Sequence, residues 1–240
     1  MANDWFRFKR FTIRQEDCAM KVGTDGVLLG AWSVVPGSGG RVLDVGTGTG
    51  LIALMIAQRT EGVLVDALEK DPLAARQAVR NFRNSPWEDR IQGFPSSFQN
   101  YVPDCKHRYD LVICNPPFFS ASLKAASPQR SLARHDDALP LAELFKGAKA
   151  LMKNTGLLSF ILPTEKEALA LELMAGAGLY CSRLTRVVPA PGKAVRRILF
   201  ECRLSSCETV VDELTIETST RHCYSPTFRA MIEPFFLDPK

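Results

Sequence analysis

At 240 residues, 46% hydrophobic and 23% charged, the chain has enough apolar material for one sizeable core and lacks the composition of a disordered or fibrous protein. Its net charge of +4 is too mild to imply a nucleic-acid partner by itself. The 7 cysteines form no Cys-x-x-Cys pair and have no histidine at ligand spacing, so neither a zinc site nor a disulfide framework is expected. The start, Met1 to Trp5, lacks the pattern of a signal peptide, and no apolar run reaches membrane-spanning length; a cytosolic protein with reduced thiols is expected.

The first segment, Phe6 to Arg14, alternates aromatic or apolar with basic residues and suggests one strand with aromatics on one face and cations on the other. That face suits either plain solvation or contact with RNA. Thr24–Trp32 opens as a helix with Thr24 or Asp25 as N-cap, and Pro36 to Gly40 then breaks the chain. Strand and helix patterns alternate from there: strand Arg41–Val45, helix Leu51–Arg59, strand Val63–Leu68, helix Pro72–Phe82, a short strand near Ile91, and strand Leu111–Cys114. Helix Leu141–Met152, strand Leu157–Leu162, helix Glu165–Ala175 and strands over Leu179–Val188 and Ile198–Leu204 follow. The tail suggests a strand at Glu213–Glu217 and a short helix at Thr227–Ile232. This alternation predicts a doubly wound α/β sheet. Ser120 to Leu139 has little periodicity, and a loop of that length in a compact domain points to function.

Two strings carry the chemistry. In Gly46-Thr47-Gly48-Thr49-Gly50, after the strand ending Leu43-Asp44-Val45, the spacing differs from the phosphate-binding GxGxxG turn. It suits a nucleoside cofactor without phosphate, whose methionine and ribose pass close to a backbone bare of Cβ atoms. Asp44 can meet the cofactor's ammonium, and Glu69, at the end of the next strand, can accept both hydrogens of a ribose diol. The second string is Asn115-Pro116-Pro117-Phe118, after Tyr109 to Cys114. The Asn115 side-chain oxygen and the Pro116 carbonyl can accept the two hydrogens of a planar amine, while Pro117 stiffens the turn and Phe118 and Phe119 offer a stacking face. Together they predict methyl transfer from S-adenosylmethionine to a nitrogen, catalysed mainly by positioning.

Basic residues cluster at Arg183, Arg186, Lys193, Arg196, Arg197 and Arg203 against Glu201 alone, a stripe that suits either a phosphate-facing surface or a solvated face.

The glycine loop and Asn-Pro-Pro-Phe string resemble class I S-adenosylmethionine-dependent amino-methyltransferases. Phe11-x-Ile13-x-Gln15, the run Lys21 to Trp32, Ala126 to Arg130, Tyr224 to Phe228 and Phe235-Phe236-Leu237 extend the resemblance over nearly the whole chain, to the bacterial family that makes N6-methyladenosine at adenine 37 of valine tRNA. The resemblance implies a mostly parallel seven-stranded Rossmann-like sheet at 39–240 and an N-terminal extension at 1–38 that contributes to cofactor and RNA binding. It implies S-adenosylmethionine as cofactor, tRNA as partner, and no membrane or obligate protein partner. It places Lys21, Thr24 and Asp25 beside the cofactor, with Asp44, Gly46, Thr47, Gly48, Gly50, Glu69 and Asn115 in the main pocket. Ser97 stands where the family often carries a carboxylate for the cofactor's adenine amine, and accepts that bond less strongly. Phe118 stands where adenine-N6 enzymes frequently carry tyrosine, which blurs the line with guanine-N2 enzymes. Arg130, Arg134 and His135 would approach the target, with Phe119, Lys193, Arg196 and Arg197 on the RNA. Ribosomal-RNA guanine, DNA adenine and a protein glutamine remain alternative acceptors. A non-catalytic RNA-binding module on the same scaffold is the alternative of a different class.

Overall fold

The computed structural model describes residues 3–18, 20–117 and 139–238. Two short strands, β1 (Trp5–Arg7) and β2 (Thr12–Arg14), form an antiparallel hairpin, so the expected single strand is broken at Lys9 and Arg10. The break lets Phe8 and Phe11 stack at 4.5 Å between ring centres, both buried, while the cations stay outside. Helix α1 (Thr24–Trp32) has the expected span, but its N-cap is the extended Gly23 with no side-chain cap, and not Thr24 or Asp25.

The main sheet takes β3 (Arg41–Val45), β4 (Leu64–Glu69), β5 (Ile91–Pro95), β6 (Tyr109–Cys114), β7 (Met152–Pro163), β8 (Tyr180–Val188), β9 (Arg197–Arg203) and β10 (Val210–Thr215). Its order is β10-β8-β9-β7-β6-β3-β4-β5. Only β9 runs against the rest. The sheet has 8 strands where seven were expected, because β10 adds in parallel to the edge of β8 and buries Leu214 there.

Helices α2 (Leu51–Arg59) and α3 (Pro72–Arg83) cover one face with α1 and the C-terminal α7 (Pro226–Ile232). The other face packs under α4 (Phe98–Asp104), α5 (Leu141–Leu151) and α6 (Glu167–Ala177). The hairpin's Phe8, Phe11 and Ile13 belong to the same core as Val42 and Val65 of the sheet. α3 starts cleanly because the Asp71 carboxylate accepts from Leu73 N at 2.8 Å and Pro72 occupies the first turn. Helix α4 escaped the sequence pattern: only Phe98 of its residues is buried, and Pro103 lies inside it. Because the parallel strands all end on one edge, Gly46, Glu69 and Asn115 gather there. The reversal of β9 brings its first residue, Arg197, to that edge as well, in register with Pro163.

Candidate active site

The glycine loop turns over the end of β3 and is tied to β4. Thr47 N donates to Leu68 O at 2.8 Å, and Gly48 N donates to Glu69 Oε2 at 2.9 Å. The other carboxylate oxygen of Glu69 accepts from Asp71 N at 3.0 Å, so Glu69 clamps the loop to the start of α3. Gly46 and Gly48 have φ of +70° and +55°, and a Cβ on either would meet nothing within 4 Å. The loop is thus a bare backbone cradle facing open space. At Gly50 the limit is contact: a Cβ would stand 2.4 Å from the Phe82 ring. A cavity of about 560 Å³ adjoins the loop, with Thr47, Ala67, Glu69, Leu73, Phe94 and Pro95 among its walls. Its size suits a nucleoside cofactor.

Asp44 is fully buried behind the loop. Its Oδ2 accepts from Thr47 Oγ1 at 2.6 Å and Ala53 N at 3.1 Å, while Oδ1 has no partner among the described residues. Burial pushes its carboxyl up to about 7, partly offset by those two bonds. A cation arriving at Oδ1 would restore the ionised form.

Asn115 follows β6 at the same edge, and its Oδ1 is likewise buried with no partner among the described residues. Gly26 of α1 faces it closely: a Cβ there would lie 3.9 Å from Asn115 Nδ2 and 3.1 Å from Leu51 Cδ2. Pro116 is buried and Pro117 exposed. The preceding Cys114 is buried, and its thiol is held well above the usual range by burial and by Asp44 and Glu69. The residues present fit S-adenosylmethionine: a Cβ-free cradle, a carboxylate in the cavity wall and, among the described residues, an open buried carboxylate oxygen, with an open buried amide oxygen at the same sheet edge.

The other predicted site residues scatter more widely. Phe118, Phe119, Arg130, Arg134 and His135 lie outside the described residues. Ser97 caps α4, its Oγ accepting from Asn100 N at 3.2 Å. Lys21 reaches Asp4 at 3.3 Å and the Asn3 carbonyl at 3.4 Å. Thr24 and Asp25 form the first turn of α1, and Asp25 is held by Arg197, whose Nε stands 3.0 and 2.8 Å from its two oxygens. Two residues assigned to different ligands are therefore partners of each other.

The basic stripe divides. Arg183 pairs with Asp212 at 3.1 Å and lies 4.6 Å over the Trp32 ring, and Arg186 pairs with Glu167 at 2.7 Å. Arg203 stands opposite Tyr180, at the far end of the strands. Lys193 and Arg196 remain exposed on the β8–β9 loop, at the functional edge.

Asn81 went unnoticed in the sequence. From α3 it accepts from Arg14 N at 3.0 Å and donates to Arg14 O and Thr49 O, each at 2.8 Å, joining hairpin, helix and glycine loop. A polar residue on the apolar face of α3, between Ala78 and Phe82, was the available signal.

The methyltransferase small domain family model matches residues 26–177. A tRNA1(Val) (adenine(37)-N6)-methyltransferase from Christiangramia forsetii is 44% identical over 239 residues, covering 99% of each chain. One of the same description from Trichodesmium erythraeum is also 44% identical over 239 residues, with 99% of each chain covered. A predicted O-methyltransferase from Agrobacterium tumefaciens shares the fold at TM-score 0.69 and 21% identity, over 88% of this chain and 96% of its own. The chain belongs to the methyltransferase small domain family and, within it, to the tRNA1(Val) (adenine(37)-N6)-methyltransferases.

Proposed function

We propose that this chain transfers a methyl group from S-adenosylmethionine to the N6 amine of an adenine in tRNA, adenine 37 of valine tRNA being the target, as the names of its relatives state for them. The observation that carries the reading is the buried Oδ1 of Asn115, without a partner among the described residues, at the end of the strand beside the one that leads into the glycine loop. An adenine amine is a poor nucleophile because its lone pair is delocalised into the ring. Asn115 Oδ1 takes one amine hydrogen and the Pro116 carbonyl the other, which favours the pyramidal amine with its lone pair free. S-adenosylmethionine, when bound, supplies the methyl group on an activated sulfonium. Glu69 would hold the ribose hydroxyls, Asp44 would meet the ammonium, and Gly46 and Gly48 would let the backbone approach. No strong general base is needed, since the amine becomes acidic as its fourth bond forms and its proton leaves past Asn115 or Pro116 to water. Phe118 and Phe119 stack the extruded base.

Lys193 and Arg196 meet the RNA backbone, with Arg130 and Arg134 nearer the base. Arg197 orders Asp25 at the joint between the RNA-facing loop and α1. The 1–38 extension serves both ligands of the 39–240 domain, and no obligate protein partner is required. Among the described residues no helix is long and apolar enough to cross a membrane; we place the enzyme in the cytoplasm, with its substrate.

The test is a transfer assay with labelled S-adenosylmethionine on unmodified valine tRNA transcript, followed by nucleoside mass spectrometry. N6-methyladenosine confined to the anticodon loop is the expected product. N2-methylguanosine, or no incorporation, would contradict the assignment.

A further inference from the structure

The hairpin separates its residues by face more sharply than the sequence suggested. Phe6 and Ile13 point into the core, while the register pairs Trp5 with Arg14 and Arg7 with Thr12 on the outer face. Trp5 is 52% exposed, whereas the other two tryptophans of the chain, Trp32 and Trp87, are 6% and 5% exposed. Trp5 therefore stands exposed on the same face of the hairpin as Arg7 and Arg14.

This face is joined to the site. Asn81 bonds the Arg14 backbone on one side and the Thr49 carbonyl of the glycine loop on the other. Next to Asn81, α3 exposes Arg76, Arg80 and Arg83, and these three line the same cavity as Thr47 and Glu69. Arg80 pairs with Asp17, and Arg14 meets Glu16 at 3.2 Å. Exposed pairs of that kind exchange readily for phosphate. Arg7, Arg76 and Arg83 have no ion pair among the described residues. The hairpin and α3 lie on the β4–β5 side of Asn115, and the loop bearing Lys193 and Arg196 lies on its β7–β9 side.

We propose that the outer face of the β1–β2 hairpin, continued by the exposed arginines of α3, is a second RNA-contact surface, on which Trp5 stacks a base and Arg7, Arg14 and Arg83 hold flanking phosphates. The proposal rests on RNA being the substrate. It makes the active-site edge a saddle, gripped on both flanks, with the target base entering between them. An aromatic platform among cations tolerates any base, so this surface supplies affinity and orientation, and the choice of adenine stays with Asn115.

Trp5 reports on itself, because the other two indoles are shielded. Titrating valine tRNA into the full-length protein should quench its solvent-exposed tryptophan emission, and Trp5→Phe should remove that exposed component. Trp5→Ala should weaken tRNA binding by about tenfold. Arg7→Gln with Arg14→Gln should weaken it by a similar factor and flatten the dependence of log affinity on log salt by about 0.7 to 0.9 for each lost contact. S-adenosylmethionine affinity and melting temperature should hold in all three variants, which separates a lost RNA contact from a disturbed fold. Unchanged tRNA affinity and salt slope would overturn the proposal, as would quenching that persists in Trp5→Phe. If the wild-type protein shows these RNA effects yet transfers no methyl group to tRNA, the surface stands and the assigned reaction falls.

Discussion

Strands β3, β4 and β6 carry polar side chains toward both of their ends, and the two ends treat them differently. At the starting ends, Asp66 accepts from Arg41 Nε at 2.8 Å, Arg41 NH2 at 3.1 Å and Tyr109 OH at 2.7 Å, and Tyr109 shares a 2.6 Å bond with Tyr101. Asp110 closes the same end, accepting from Arg41 N and Lys153 Nζ, each at 2.8 Å. At the finishing ends, Asp44 and Asn115 each keep a buried oxygen with no partner among the described residues. The first arrangement is complete in the protein alone and binds strands together. The second leaves acceptors open among the described residues, an arrangement that fits a buried site taking a ligand.

The comparison can be broken from either side. Asp66→Ala should have the largest effect, lowering stability by about 2–4 kcal/mol, because it leaves the Tyr109 hydroxyl and the Arg41 guanidinium without their shared acceptor. Denaturant melts measure this, and S-adenosylmethionine affinity of the folded variant should stay within twofold. Asp44→Asn should do the reverse, weakening cofactor binding by about tenfold or more by calorimetry while sparing the fold.

The same carboxyl sets a pH dependence. Its folded-state value of about 7 lies above the ordinary 3.8, so the cofactor-free folded state holds a proton that the unfolded chain has already lost. Asp44 therefore makes the free protein less stable as pH rises from about 4 to 7, after which its contribution levels off. Asp44→Asn should remove that decline and be the more stable form at pH 8. With Asp44 meeting the cofactor's ammonium as proposed, affinity should rise with pH up to about 7 in the native protein and stay flat in Asp44→Asn.

The smallest change belongs to the β8–β9 loop. Lys193→Ala with Arg196→Ala should weaken tRNA binding several-fold and flatten its salt dependence, with cofactor affinity unchanged. Arg197→Ala should differ in kind, lowering the transfer rate as well, because it frees Asp25 next to the Asn115 wall.

Legibility in the sequence followed locality. The bounds of β3 and α2 were plain because Pro36 to Gly40 and Gly46 to Gly50 punctuate them, and the glycine cradle, Glu69 and Asn115 could be placed at one edge because each sits where a strand ends. The hairpin was hidden because the alternation slips only at the doubled Lys9-Arg10, with no glycine, proline or asparagine there to mark a turn, and α4 because Pro103 and a single buried residue leave no helical stripe. The partnership of Arg197 with Asp25 spans 172 positions and depends on β9 running backwards. No local pattern encodes that. The division of the basic stripe was illegible for the same reason, since Asp212 and Glu167, which neutralise part of it, come from elsewhere in the chain.

The most direct test of the open polar edge is Asn115→Ala, measured by single-turnover methyl transfer to valine tRNA beside calorimetry with S-adenosylmethionine. The account predicts a loss in transfer rate of about 100-fold or more, with cofactor affinity within a few-fold of the native protein. Near-native turnover by that variant would contradict it, and would mean that the orphaned oxygen of Asn115 is not where the amine is held.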